Sequence, residues 1–154
     1  MIIRHRAVAV LLAAGLMGPL GAQQVQAQAQ APGKAQAQGP KVMYYIDDAA
    51  GQGSKALAEI SNLLATTPAA QVSVVTHANG VDFLLKGAKD AYGRPYATQV
   101  AQLKAKGVKF EVCELTINER NLNKTVFVPD ASFTPSDQAL VADLTNKGYS
   151  YRKP

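Results

Sequence analysis

The chain predicts an α/β layered domain around a mostly parallel sheet of about five strands. Two observations carry this expectation. Short apolar runs rich in β-branched residues alternate with stretches whose apolar residues recur every three or four positions, with glycine or proline between them. The first run is also apolar at nearly every position, the pattern of a strand covered on both faces. The alternation begins near Lys41 and occupies residues 41–154, enough chain for one core and not for two.

Taken in order, Val42-Met43-Tyr44-Tyr45-Ile46 is the first strand, and residues 47–53 form a loop containing Asp47, Asp48, Gly51 and Gly53. Ala56, Leu57, Ile60, Leu63 and Leu64 mark an amphipathic helix that stops before Pro68. Val72-Ser73-Val74-Val75-Thr76 is the second strand, with His77-Ala78-Asn79-Gly80 as its exit loop and a short helix over 81–86. A polar stretch leads to a helix from about Pro95, with Val100 and Leu103 inward and Gly107 as its cap. Val108, Phe110 and Val112 alternate with Lys109, Glu111 and Cys113, so the third strand runs into the cysteine, and a short helix follows. Val126-Phe127-Val128 reads as a short fourth strand. Thr134 is the expected N-cap of a last helix, with Pro135 at its first position and Leu140, Val141 and Leu144 inward. Tyr149-Ser150-Tyr151 closes the sheet, its alternating tyrosines predicting a packed face, in the core or against another subunit.

The N-terminal forty residues differ in kind. Arg4 and Arg6 precede an uncharged apolar run over 7–18, and small residues follow, the three parts of a secretory signal over 1–22 with cleavage between 22 and 29. The run is shorter than the ~20 apolar residues of a membrane-spanning helix, so stable membrane insertion is not expected. No cysteine stands near the cleavage region, and there is no Arg-Arg pair. Residues 23–40, mostly Ala and Gln with interrupting Gly and Pro, form an expected disordered linker. A periplasmic or secreted location follows from this reading. Arg4 and Arg6 are two of 16 Lys and Arg, and the remaining basic residues stand against 11 acidic ones in no stripe and with no interleaved aromatics. Nucleic acid is therefore not an expected partner despite the high pI.

Cys113 is the only cysteine, which excludes an internal disulfide and leaves a thiol that is either buried and inert or used. It stands where a strand ends and a helix starts. Backbone N–H groups at such a junction favour a thiolate, and the adjacent Glu114 opposes it. His77 is the histidine outside the signal and the ready acid–base group near neutral pH. Whether it reaches Cys113 depends on strand order, which spacing alone leaves open. Cys113 and His77 give two strong metal ligands against the four of a structural zinc site, so no metal is expected in a monomer. Gly51-Gln52-Gly53-Ser54-Lys55 lacks the order of a phosphate loop, and no nucleophilic serine motif occurs.

With these residues in place, the domain resembles the DsrE/DsrF-like family of small sulfur-relay proteins. The resemblance rests on the opening at 41–48, the stretch 74–85, the element Gly107-Val108-Lys109-Phe110-Glu111-Val112-Cys113 and the ending Gly148-Tyr149-Ser150-Tyr151-Arg152-Lys153-Pro154. It implies a flavodoxin-like three-layer fold, assembly as a trimer or hexamer, and a strand-end cysteine that carries sulfane sulfur as a persulfide. That role falls on Cys113. His77 is implied as an acid–base or thiolate-tuning group, and Gly80, Asn79 and Glu114 as ligand-binding neighbours. No cofactor is implied. The partners are a sulfane sulfur donor and an acceptor thiol protein. A non-catalytic ligand-binding or assembly module with a packed cysteine is the alternative. A redox sensor, in which Cys113 forms an intermolecular disulfide or a sulfenic acid, is a third reading.

Overall fold

The computed structural model describes residues 39–154; the expected signal over 1–22 and nearly all of the expected linker lie outside them. Five strands form one parallel sheet in the order β4-β3-β2-β1-β5: β1 Lys41–Asp48, β2 Gln71–Asn79, β3 Lys109–Cys113, β4 Ala131–Thr134 and β5 Ser150–Arg152. Four helices connect them: α1 Ser54–Thr66, α2 Tyr96–Ala105, α3 Glu114–Glu119 and α4 Asp137–Asn146. This is the expected α/β class, and the chain walks outward from β1 to β4 before crossing back to place β5 on the other side of β1.

Strand periodicity sorts the side chains onto two faces. Val42, Tyr44 and Ile46 of β1, Val72 and Val74 of β2, and Phe110 and Val112 of β3 pack against Ala56, Leu57, Ile60 and Leu64 of α1 and Val100 and Leu103 of α2. Phe83 anchors this layer, meeting Tyr96 and Phe110 edge-on at centroid distances of 5.7 and 6.4 Å. Met43 and Val75 point to the other face, where Leu144, Leu140 and Val141 of α4 cover them. The described residues form three layers, with a large core on the α1–α2 side and a small one under α4.

Several local expectations are corrected. Val126-Phe127-Val128 is not a strand. Lys124–Val126 is a 3-10 turn, and Phe127 and Val128 are buried outside the sheet, with Val128 N–H donating to the Leu84 carbonyl at 2.9 Å. The fourth strand is Ala131–Thr134 instead. Thr134 therefore ends a strand, and the N-cap of α4 is Ser136, whose Oγ accepts from Ala139 N–H. β1 extends to Asp48, and a π-helical turn, Ala49–Gly53, replaces most of the expected loop. β2 extends to Asn79, and the short helix after it is a 3-10 turn over Gly80–Leu84. The C-terminal tyrosines divide: Tyr149 is half-buried and packs against the Met43, Val75 and Leu144 core, whereas Tyr151 is 51% exposed and leans on Tyr45 at 5.8 Å. No helix among the described residues is long and apolar enough to cross a membrane.

Candidate functional site

Three neighbouring strands deliver the site to the carboxyl end of the sheet, where ligands of open α/β folds gather. β2 lies between β1 and β3, and its ladder with β3 ends on the pair Thr76–Val112. The next residues on the two strands are His77 and Cys113, so the order of strands sets the histidine beside the cysteine. Both share the α4 face with Tyr45 of β1. The first turn of α4 then lowers Asp137 among them.

Asp137 is the centre of the cluster, although its residue number sits 24 past Cys113 and 60 past His77. Its Oδ1 accepts from the Cys113 thiol at 3.5 Å, and its Oδ2 accepts from the Tyr45 hydroxyl at 2.6 Å. His77 Nδ1 stands 3.8 Å from the same Oδ2. Burial works to raise the Asp137 carboxyl, but the hydrogen bonds from Tyr45 and Cys113 and the charge of His77 outweigh it, and the group sits below the ordinary carboxylate range. Tyr45 responds in the opposite sense, pushed well above the usual phenol value by burial and then by its bond to the Asp137 carboxylate. Cys113 is fully buried, whereas the His77 side chain is 35% exposed and forms the open side of the cluster.

The backbone around His77 is held by α3. Thr116 Oγ1 lies 3.1 Å from His77 Nδ1 and accepts from Ala78 N–H at 3.1 Å. Arg120 Nη1 donates to the Ala78 carbonyl at 3.0 Å. It also forms an ion pair with Asp82, 2.8 Å from Oδ1. Between these anchors Ala78 adopts φ 48°, a left-handed conformation that costs a residue with a Cβ on the order of 1 kcal/mol. Gly80 is required by proximity: a Cβ there would come within 2.0 Å of the Ile46 carbonyl oxygen.

The remaining expected site residues are distributed differently. Asn79 lines a cleft of about 510 Å³ together with Asp48, Asp82, Phe83, Lys89 and Tyr96, and neither Cys113 nor His77 lines it. Gly80 does not line this cleft and packs against the backbone of Ile46 and Asp47. Glu114 is bound to Lys124 at 2.5 Å and does not join the Asp137 cluster. Sequence reasoning passed over Asp137, Tyr45 and Thr116. By pattern Asp137 is an ordinary first-turn acid of a helix, and only the docking of α4 on the sheet reveals it. Tyr45 was within reach, because its parity along β1 matches that of His77 and Cys113 once the strand order is known.

A family model, that of the DsrE/DsrF-like family, matches residues 41–152. The chain belongs to the DsrE/DsrF-like family. Two solved structures share its fold. MTH1491, a protein of unknown function from Methanobacterium thermoautotrophicum, superposes with a TM-score of 0.67 at 20% identity, over 75% of this chain and 99% of its own. The YchN protein from E. coli gives 0.63 at 14% identity, again over 75% of this chain and 99% of its own. At these identities the likeness concerns the fold alone. No curated protein matches the sequence. The DsrE/DsrF-like assignment agrees with the flavodoxin-like α/β architecture and spans all five strands and every residue of the Asp137 cluster.

Proposed function

We propose that the protein is an exported sulfur carrier that holds sulfane sulfur as a persulfide on Cys113. The observation that carries this reading is the position of the sole cysteine: within a DsrE/DsrF-like domain it ends a central strand, with a carboxylate and an imidazole beside its sulfur. The step is a transfer between thiols. The Cys113 sulfur attacks the outer sulfur of a donor persulfide, the donor's S–S bond breaks, and the donor leaves as a thiol. The proton lost by Cys113 ends on that leaving thiol. Asp137, which already accepts the S–H, and His77 at 3.8 Å from it are the groups placed to pass the proton on. An acceptor thiol protein then takes the outer sulfur by the same exchange. Because Cys113 is buried and His77 is partly open, the donor enters past the His77 side chain.

Export rests on the basic, apolar and small-residue sequence of 1–22. Assembly as a homo-oligomer is supported by the thin α4 layer. One ten-residue helix serves that face, and Glu111, Ser132 and Thr134 beyond it are only partly buried.

Intact mass tests the relay. After incubation with a polysulfide, the protein should gain sulfur that reduction removes, and Cys113→Ser should gain none. The full burial of Cys113 favours a second reading, a non-catalytic ligand-binding or assembly module in which the thiol packs the α4 layer. Unchanged mass with an active donor, and a Cys113→Ser protein that folds and assembles normally, would select that reading.

A further inference from the structure

Two ligands on neighbouring strands do not make a metal site, but the fold adds a third. Among the described residues, Cys113 Sγ, one ring nitrogen of His77 and one carboxylate oxygen of Asp137 all lie within 4.8 Å of one another. They come from β3, β2 and the first turn of α4, three elements fixed by the sheet and its packing. We propose that Cys113, His77 and Asp137 bind a zinc-class divalent cation, leaving a fourth coordination position open on the His77 side.

The donor chemistry selects the ion. One thiolate, one imidazole and one carboxylate form a borderline-soft set suited to a tetrahedral zinc-type ion and not to calcium or magnesium, which take oxygen ligands. Bond lengths of about 2.0 to 2.3 Å bring such ligand atoms to within ~3.5 Å of one another, so a separation of at most 4.8 Å closes by small side-chain rotations. Charge is balanced as well. A thiolate and a carboxylate neutralise a dication, and a neutral unit is the least costly form in which these buried groups can hold charge.

The surroundings already provide orientation. Tyr45 holds the Asp137 oxygen Oδ2, leaving Oδ1 on the cysteine side, and this is the kind of outer hydrogen bond that fixes a metal-bound carboxylate. His77 Nδ1 faces Asp137, and Thr116, now 3.1 Å from that nitrogen, keeps its bond from Ala78 N–H if the imidazole turns to a metal. Binding exchanges the S–H proton for the cation and displaces any proton on His77, so at least one proton leaves per metal bound. Three protein ligands with an exposed fourth position is the composition of a reactive site, able to take water or a sulfur anion. A metal on Sγ also occupies the atom that would carry persulfide sulfur, so the two states of Cys113 exclude one another.

Cobalt(II) is the probe, added to the purified, reduced protein. One equivalent should produce a thiolate-to-cobalt charge-transfer absorption together with the strong visible bands of tetrahedral cobalt. Cys113→Ser should lose the charge-transfer absorption, and His77→Ala and Asp137→Asn should each weaken binding at least tenfold, with circular dichroism reporting that each variant is folded. Absence of the charge-transfer absorption, or unchanged affinity in His77→Ala and Asp137→Asn, overturns the proposal. A second measurement needs no variant: zinc added to the wild-type protein near neutral pH should release at least about one proton per ion, and zero release overturns it equally. Both use the reduced protein with no sulfur on Cys113, so a protein that takes up sulfur without metal, or metal without sulfur, separates this proposal from the relay.

Discussion

At the residue scale, the Tyr45–Asp137 bond is the contact on which the site's geometry most depends. The phenol donates at 2.6 Å to a carboxylate that Cys113 and His77 also approach, and it fixes which oxygen faces Cys113. Tyr45→Phe removes the donor and keeps the ring that packs on His77 and Tyr151. A hydrogen bond to a charged group contributes about 1.5 kcal/mol or somewhat more, and urea unfolding of Tyr45→Phe should show a loss of that order with an unchanged slope. An undiminished midpoint would mean that water replaces the phenol without cost and that Asp137 is positioned by α4 alone. The strain at Ala78 belongs to the same economy of positioning. An ordinary residue is held left-handed because Thr116 and Arg120 grip both sides of its peptide, and this aims the histidine that precedes it.

At the element scale, the segment between the Gly80–Leu84 turn and α2 is organised by one carboxylate. Asp90 accepts from Tyr92 N–H and Arg94 N–H at 2.9 Å each and from Arg94 Nε at 2.7 Å. Burial acts to raise this carboxyl, but the backbone donors and the guanidinium prevail and hold it below the ordinary range. A depressed carboxyl stabilises the fold above its unfolded value, near ~3.9, and the contribution fades as pH falls through the lower folded value. Asp90→Asn should therefore be less stable than wild type at neutral pH, with the gap closing as pH falls below about 4. Melting temperatures of the pair from neutral pH down into the acid range measure it, and a gap independent of pH would assign the effect to neutral hydrogen bonding. Elements of this kind also show where the sequence is legible. Helices α1 and α2 and strands β1 to β3 follow from periodicity because burial and hydrogen bonding agree there. They part company at 126–128. Phe127 and Val128 are buried as the apolar run implies, yet their backbone bonds to the 84–86 segment and not to the sheet. The true β4 is an edge strand of half-buried residues, Ala131–Thr134, whose pattern carries little apolar signal.

At the scale of the whole molecule, strand order is what assembles the site, and local pattern does not encode it. Along the chain Cys113 and His77 stand out singly and Tyr45 and Asp137 do not; the order β4-β3-β2-β1-β5 sets Tyr45, His77 and Cys113 side by side, and α4 adds Asp137. The same order creates a vulnerability at β1. That strand is apolar on both faces, and one of its edges is sealed only by the three exposed residues of β5, which pair with Val42, Met43 and Tyr44. Lys153 reinforces the seal through Asp47 at 2.6 Å. Three cross-strand pairs contribute on the order of 2 kcal/mol, a modest sum for closing the edge of a buried strand, and an open apolar edge invites pairing with another chain. Truncation after Gly148 should thus lower the melting temperature and also raise light scattering at temperatures where the truncated protein is still folded. Replacing the terminal side chains while keeping the backbone, as in Tyr151→Ser with Lys153→Ser, should cost stability without promoting aggregation. If both changes aggregate alike, the protection lies in the Tyr151 and Lys153 side chains; if only the truncation does, β5 is retained because its backbone occupies the edge.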